Sequence, residues 1–217
     1  MRKYDAVIFD LDGTLLDTAE GVFSSVRYVI DKMGLRPIDD EVLRTFIGPP
    51  MQRSFARVYG MDEEEAAAAA AHFRDRYKEG DVLLAKPYDG IFEAIDAMSS
   101  AGIKTAVATY KRQDYADSLL GHFGFDKACD AICGSDFEGK LTKKDIIINA
   151  MEKLGITDRQ RAVMVGDSDN DAVGAAEIGM PFIGVTYGFG FADEKAVKAF
   201  RCIGAAASCG EILGYVL

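Results

Sequence analysis

Asp10 and Asp12 stand one residue apart where an apolar run ends, in Val7-Ile8-Phe9-Asp10-Leu11-Asp12-Gly13-Thr14-Leu15. Two carboxylates this close repel, and each has a raised pKa unless a cation sits beside it. Mg2+, a hard ion that takes oxygen ligands and keeps several waters, meets that need. A second acid group follows another apolar run, in Val163-Met164-Val165-Gly166-Asp167-Ser168-Asp169-Asn170-Asp171. Asp171 is four residues past Asp167, one helical turn away, so one acid can bind a metal while the other orients it or its waters. The competing explanations are a polar turn for the first group and a helix N-terminus decorated with capping acids for the second. The latter accounts for Asp169.

The elements needed to hold these acids are strands. Val7 to Phe9 has the β-branched and aromatic character of a buried strand. If it continues through Asp12, both acids face one side, and Gly13 provides the backbone freedom for the turn. From residue 18 to 82 the pattern is helical throughout. Ala19, Val22, Phe23, Val26, Ile30 and Met33 recur at helical spacing before Gly34, and Asp39-Asp40-Glu41 opens a helix carrying Val42 to Ile47. Gly48-Pro49-Pro50 interrupts, Met51 to Tyr59 forms the next helix, and Asp62 with Glu65 has the spacing of a capping box ahead of an alanine-rich helix. After Pro87, strands and helices alternate as in a parallel α/β domain. Strands are expected at 104–109, 128–133, 162–165, 182–186 and 202–205, with a helix over 143–154 and another over 171–178.

In open parallel sheets, ligands bind beyond the carboxyl ends of the strands. The residues so delivered are Asp10 and Asp12, Thr109, and Asp167 with Asp171. Tyr187-Gly188-Phe189-Gly190, a glycine-rich loop after a strand, is expected at the rim. A helical segment interposed between the first strand and the rest is expected to act as a lid that excludes water and selects substrate.

The chain has 217 residues, nearly half of them apolar, which suits one core domain with an insertion. Its net charge of -10 disfavours nucleic acid polymers and anionic membranes as partners. Cys129, Cys133, Cys202 and Cys209 match no common zinc spacing, and they are expected to be reduced, buried apolar residues. The first residues lack the apolar stretch of a signal peptide, and no segment has the ~20 apolar residues of a membrane helix. A cytoplasmic location is therefore expected.

Taken together, the two acid motifs, Thr109 between them and the helical insertion resemble the haloacid dehalogenase superfamily, specifically a phosphatase with a helical C1-type cap of the phosphoglycolate phosphatase-like branch. The resemblance implies a Rossmann-like parallel α/β core (residues 1–17 and 83–217) and an all-helical cap domain (18–82). It implies Asp10 as nucleophile, Asp12 as acid/base, Thr109 as phosphate-binding hydroxyl, and Asp10, Asp12 and Asp167 as Mg2+ ligands backed by Asp171. The family's lysine falls at Lys143, where Thr142 is a plausible N-cap and the preceding segment has no proline, with Lys140 as the alternative. Tyr110 stands where asparagine is frequent, and Lys111 follows it as usual. In the cap, Gly48 and Arg53 are the candidates for substrate contact.

The activity so implied is hydrolysis of a small organic phosphate such as phosphoglycolate through an aspartyl phosphate, by a monomer or homodimer. A 5'-nucleotidase or pyrophosphatase of the same superfamily is the alternative. A phosphomutase needs basic groups for a second phosphate, and the cap loop offers one arginine. A phosphorylation-switched receiver combines similar residues but lacks a helical insertion after its first strand.

Overall fold

The computed structural model describes residues 3–217. Two compact units divide the chain. One comprises the residues up to Leu16 together with Pro87–Leu217, and the other is Asp17–Lys86. The crossings fall within two short strands, β2 (Leu16–Asp17) and β3 (Lys86–Pro87), which pair with each other. Two-residue strands carry no periodicity, which is why the sequence places the divisions at 17/18 and 82/83 instead.

The helical unit holds α1 (Ala19–Met33), α2 (Asp40–Arg44), α3 (Met51–Tyr59) and α4 (Glu63–Lys78). Gly34 ends α1 in the left-handed region, at φ 63°, where a residue without a Cβ is not strained. The capping box at α4 is present, with the Asp62 carboxylate accepting from Glu65 N and the Glu65 carboxylate from Asp62 N. Ala66, Ala69 and Ala70 are buried at i, i+3 and i+4, so the alanine run is the face on which α4 meets α1 and α3. The helix expected through Ile47 ends at Arg44 because the Thr45 hydroxyl donates back to Val42 O. Phe46 and Ile47 are nevertheless buried.

The other unit is an α/β sandwich around a six-stranded, all-parallel sheet. In chain order its elements are β1 (Ala6–Phe9), α5 (Ile91–Ser100), β4 (Lys104–Arg112), α6 (Gln113–Phe123), α7 (Phe125–Ala128), β5 (Ala131–Ser135) and α8 (Lys143–Leu154). They continue with β6 (Ala162–Gly166), α9 (Asp169–Glu177), β7 (Phe182–Val185), α10 (Glu194–Lys198), β8 (Gly204–Ala206) and α11 (Cys209–Val216). The strand order is β5-β4-β1-β6-β7-β8. Ile8, Ala106 and Met164 pack with Ile146, Ile147, Ala150 and Ala175 of α8 and α9. The alternate residues Val7, Val107 and Val163 are equally buried, so both faces are covered and the strands read as continuous apolar runs. Each such side chain contributes ~1.5–3 kcal/mol relative to exposure.

Three expectations need correction. First, β1 stops at Phe9, and Asp12 makes only an isolated bridge to Leu16. Leu11 O accepts from the backbone N–H of Thr14, Leu15 and Leu16, so a tight turn replaces the continued strand. Second, β4 runs on to Arg112, past Thr109. Third, a one-turn helix, α7, occupies 125–128, which moves β5 to 131–135. Four residues are too few for a helical period to register.

Candidate active site

The path of the chain explains where the site forms. From β1 the sheet grows outward through β4 to β5, then returns to β6 on the other side of β1. That reversal opens a crevice at the carboxyl ends of β1 and β6. Asp10 follows β1 directly, with its N–H donating to Val165 O of β6 at 2.8 Å, and Asp167 follows β6.

Asp10 is buried and meets Lys143 from the first position of α8, with Nζ 2.5 Å from Asp10 Oδ1. The same ammonium lies 2.6 Å from Asp171 Oδ1. Its stem passes Gly174 of α9, where a Cβ would come within 2.9 Å of Lys143 Cγ. Thr142 and Asp145 form a capping box that begins α8 at this residue. The Lys143 side chain is 3% exposed, whereas that of Lys140 is 77% exposed and paired with Glu138. Of these two lysines, Lys143 is therefore the one beside Asp10.

On β4 the ladder is irregular. Ala108 pairs with Cys133 and Arg112 with Ser135, so four steps on β4 match two on β5. The surplus is a bulge, which bends a strand and re-aims its side chains. It holds Thr109, Tyr110 and Lys111. The Lys111 N–H donates to the Thr109 hydroxyl at 3.1 Å, and Lys111 Nζ lies 3.0 Å from Asp12 Oδ1. Opposite the bulge, a Cβ on Gly134 would lie 2.6 Å from Gln113 Cα and 2.7 Å from Lys111 O. Only glycine fits there without displacing backbone.

Asp167 is oriented by backbone. Phe189 N–H and Gly190 N–H donate to its Oδ2 at 2.7 and 3.1 Å. The chain approaches so closely that a Cβ on Gly13 would meet Asp167 Oδ2 at 2.2 Å and one on Gly188 would meet Asp167 Cβ at 2.5 Å. The loop expected at the rim thus wraps this carboxylate. The spacing of its glycines was the available signal, but not the partner.

Asp10, Asp167 and Asp171 each bring a carboxylate oxygen within 4.8 Å of the others. Burial pushes Asp10 well above the usual carboxylate range, with Asp171 and Asp167 adding to the shift and Lys143 opposing it. Burial likewise raises Asp167 to about 7, reinforced by Asp171 and opposed by the Phe189 and Gly190 N–H groups. Burial alone would lower Lys143, but Asp10 and Asp171 hold its pKa above that of a free lysine. Lys143 pairs with two of these three buried acids, Asp10 and Asp171, so when all three are ionised the low-dielectric site carries more negative than positive charge. A hard divalent cation with oxygen ligands fits that donor set.

Asp10, Lys143, Asp167 and Asp171 are thus brought together, and the bulge carries Thr109. The carboxylate of Asp12 lies with Lys111 rather than in the three-acid group. Gly48, at φ 98°, and Arg53 are both exposed in the helical unit. The sequence reading did not assign roles to Gly134 or to the N–H groups of Phe189 and Gly190. A backbone donor has no sequence signature, and a glycine needed for close approach resembles any other.

The model of the haloacid dehalogenase-like hydrolase family matches residues 7–185. A 5'-nucleotidase of Pseudomonas aeruginosa is 37% identical over 193 residues, which cover 88% of this chain and 87% of the relative. A phosphoglycolate phosphatase of Agrobacterium fabrum is 37% identical over 188 residues, covering 84% and 80%. The crystal structure of a predicted phosphatase from Clostridium acetobutylicum superposes with a TM-score of 0.90 at 39% identity, covering 98% of this chain and 97% of that one.

Proposed function

This chain belongs to the haloacid dehalogenase-like hydrolases, and from that premise we propose that it is a Mg2+-dependent phosphatase acting on a small phosphate monoester through a phosphorylated Asp10. The observation that carries this reading is the buried Asp10 carboxylate, held 2.5 Å from Lys143 within the group of three acids.

Asp10 Oδ attacks phosphorus in line with the leaving oxygen; the new O–P bond forms as the ester P–O bond breaks. Asp12 gives a proton to the leaving alkoxide, then takes one from the water that attacks phosphorus and releases Asp10. Lys143 and the Thr109 hydroxyl hold the equatorial oxygens, since phosphoryl transfer depends mostly on positioning and charge stabilisation. Lys111 keeps the Asp12 carboxylate in place. Asp10 and Asp167 would hold the metal, with Asp171 beside them; the sequence reading adds Asp12 to the ligands. Bound Mg2+ would screen Asp10 from the anionic phosphate.

Phosphoglycolate is the substrate type we favour from the sequence pattern. A nucleoside 5'-monophosphate is the second reading, supported by the 5'-nucleotidase relative, as similar in identity as the phosphoglycolate phosphatase. The helical unit, with Arg53, is proposed to select between them. The test is phosphate release from p-nitrophenyl phosphate, phosphoglycolate, nucleoside monophosphates, pyrophosphate and sugar phosphates, with Mg2+ and with EDTA. Metal-dependent release supports the phosphatase, and the preferred compound names its substrate. Absence of release from every compound by folded protein with Mg2+ overturns it.

A further inference from the structure

Lys143 is touched by one residue at both of its ends. The Tyr110 hydroxyl accepts from the Lys143 backbone N–H at 2.9 Å, and the Tyr110 ring lies 5.7 Å from Lys143 Nζ. The first N–H groups of a helix have no partner inside it. In α8, Thr142 serves the Asp145 N–H and the Asp145 carboxylate serves the Thr142 N–H, leaving the Lys143 N–H to Tyr110. The segment leading into α8, Gly139-Lys140-Leu141-Thr142, has no proline to restrict its backbone. Tyr110 itself sits in the β4 bulge between Thr109 and Lys111. The hydroxyl therefore ties the strand that carries Thr109 to the helix that carries Lys143.

We infer that Tyr110 is the positioning residue for Lys143: its hydroxyl ties the start of α8 to the β4 bulge, and its ring flanks the ammonium, so that Nζ reaches Asp10 and Asp171 together. Without that bond, the first turn of α8 moves independently of the bulge, and the two phosphate-binding groups lose their mutual register. A displacement near 1 Å is enough to cost ~100-fold in rate in well-ordered sites. Here the capping box and Gly174 remain, so the loss is smaller.

The kinetic part of the test rests on the phosphatase reading; the exchange part does not. Tyr110→Phe keeps the ring and removes the acceptor. With p-nitrophenyl phosphate and Mg2+, it is expected to lower kcat about tenfold while KM changes less than twofold. In a Lys143→Ala background, the same substitution is expected to change kcat less than twofold, since there is no ammonium left to position. Equal losses in the two backgrounds, or wild-type kcat for Tyr110→Phe, overturn the inference. Independently, hydrogen exchange of the Lys143 amide, followed by NMR, is expected to quicken at least tenfold in Tyr110→Phe, an on-the-order-of effect for one lost bond. Unchanged exchange overturns the tether. If the wild-type protein hydrolyses no phosphate ester, the phosphatase reading falls while the exchange measurement still decides the tether.

Discussion

At Asp10, the proposed nucleophile, burial and nucleophilicity make opposite demands. Burial favours the protonated acid, which cannot attack, while Lys143 at 2.5 Å favours the carboxylate. Removing the charge removes the nucleophile, so Asp10→Asn is expected to lower turnover at least ~1000-fold; activity near wild type would remove Asp10 from the mechanism. The acids also predict how stability varies with pH. Asp10 and Asp167 titrate above their unfolded values, Asp167 at about 7. Their stabilising effect is complete below the unfolded carboxylate pKa, about 4, and is lost as pH rises through the folded value. In EDTA, the melting temperature is expected to be lower at pH 8 than at pH 5.5. Mg2+, which binds the ionised form, is expected to raise it more at pH 8, since a ligand at ~100 Kd adds about 2.7 kcal/mol. An equal Mg2+ increment at the two pH values would count against metal binding by these acids.

At the scale of elements, the bulge in β4 and the start of α8 do most to shape the site. A regular β4 would send Thr109 and Lys111 to one face and Tyr110 to the other at fixed two-residue intervals. The surplus length opposite Gly134 frees them from that pairing. Gly134→Ala would force a Cβ to within 2.6 Å of Gln113 Cα, so the bulge must shift. Such overpacking costs ~1–3 kcal/mol. Thermal denaturation should register that loss, and kcat should fall with it through Thr109 and Lys111. A variant with unchanged melting temperature and kcat would show that the bulge tolerates a side chain.

For the whole molecule, we propose that the chemistry belongs to one compact unit and substrate selection to the other. The α/β unit contains Asp10, Asp12, Thr109, Lys143, Asp167 and Asp171, while Asp17–Lys86 contains Gly48 and Arg53. On the proposed division of labour, Arg53→Ala raises KM at least ~10-fold for the preferred anionic substrate, a charge-assisted contact being worth about 1.5–3 kcal/mol. It leaves KM for p-nitrophenyl phosphate within twofold. Equal effects on both substrates would place Arg53 outside selection.

Much of this was legible in the chain itself. Apolar runs ending in Asp10 and Asp167, the stop at Gly34, the capping box at Asp62, the N-cap at Thr142, and the helical stretch between two α/β patterns are local. Each follows from backbone sterics, hydrogen-bonding capacity or hydrophobic period, which neighbouring residues determine. The strand order was not legible, because pairing between strands distant in the chain, such as Ala6 with Lys104 and with Ala162, leaves no periodic mark. Nor could the sequence separate Asp12 from Asp10, since a turn stabilised by Leu11 O, not the alternation of a strand, decides where the two carboxylates point. The choice of Lys143 over Lys140 needed the burial that α8, α9 and β1 create together. The acids themselves were set by sequence; their mutual distances, their raised pKa values and their shared ammonium are properties of tertiary packing, which alone brings charges distant in the chain into one region of low dielectric.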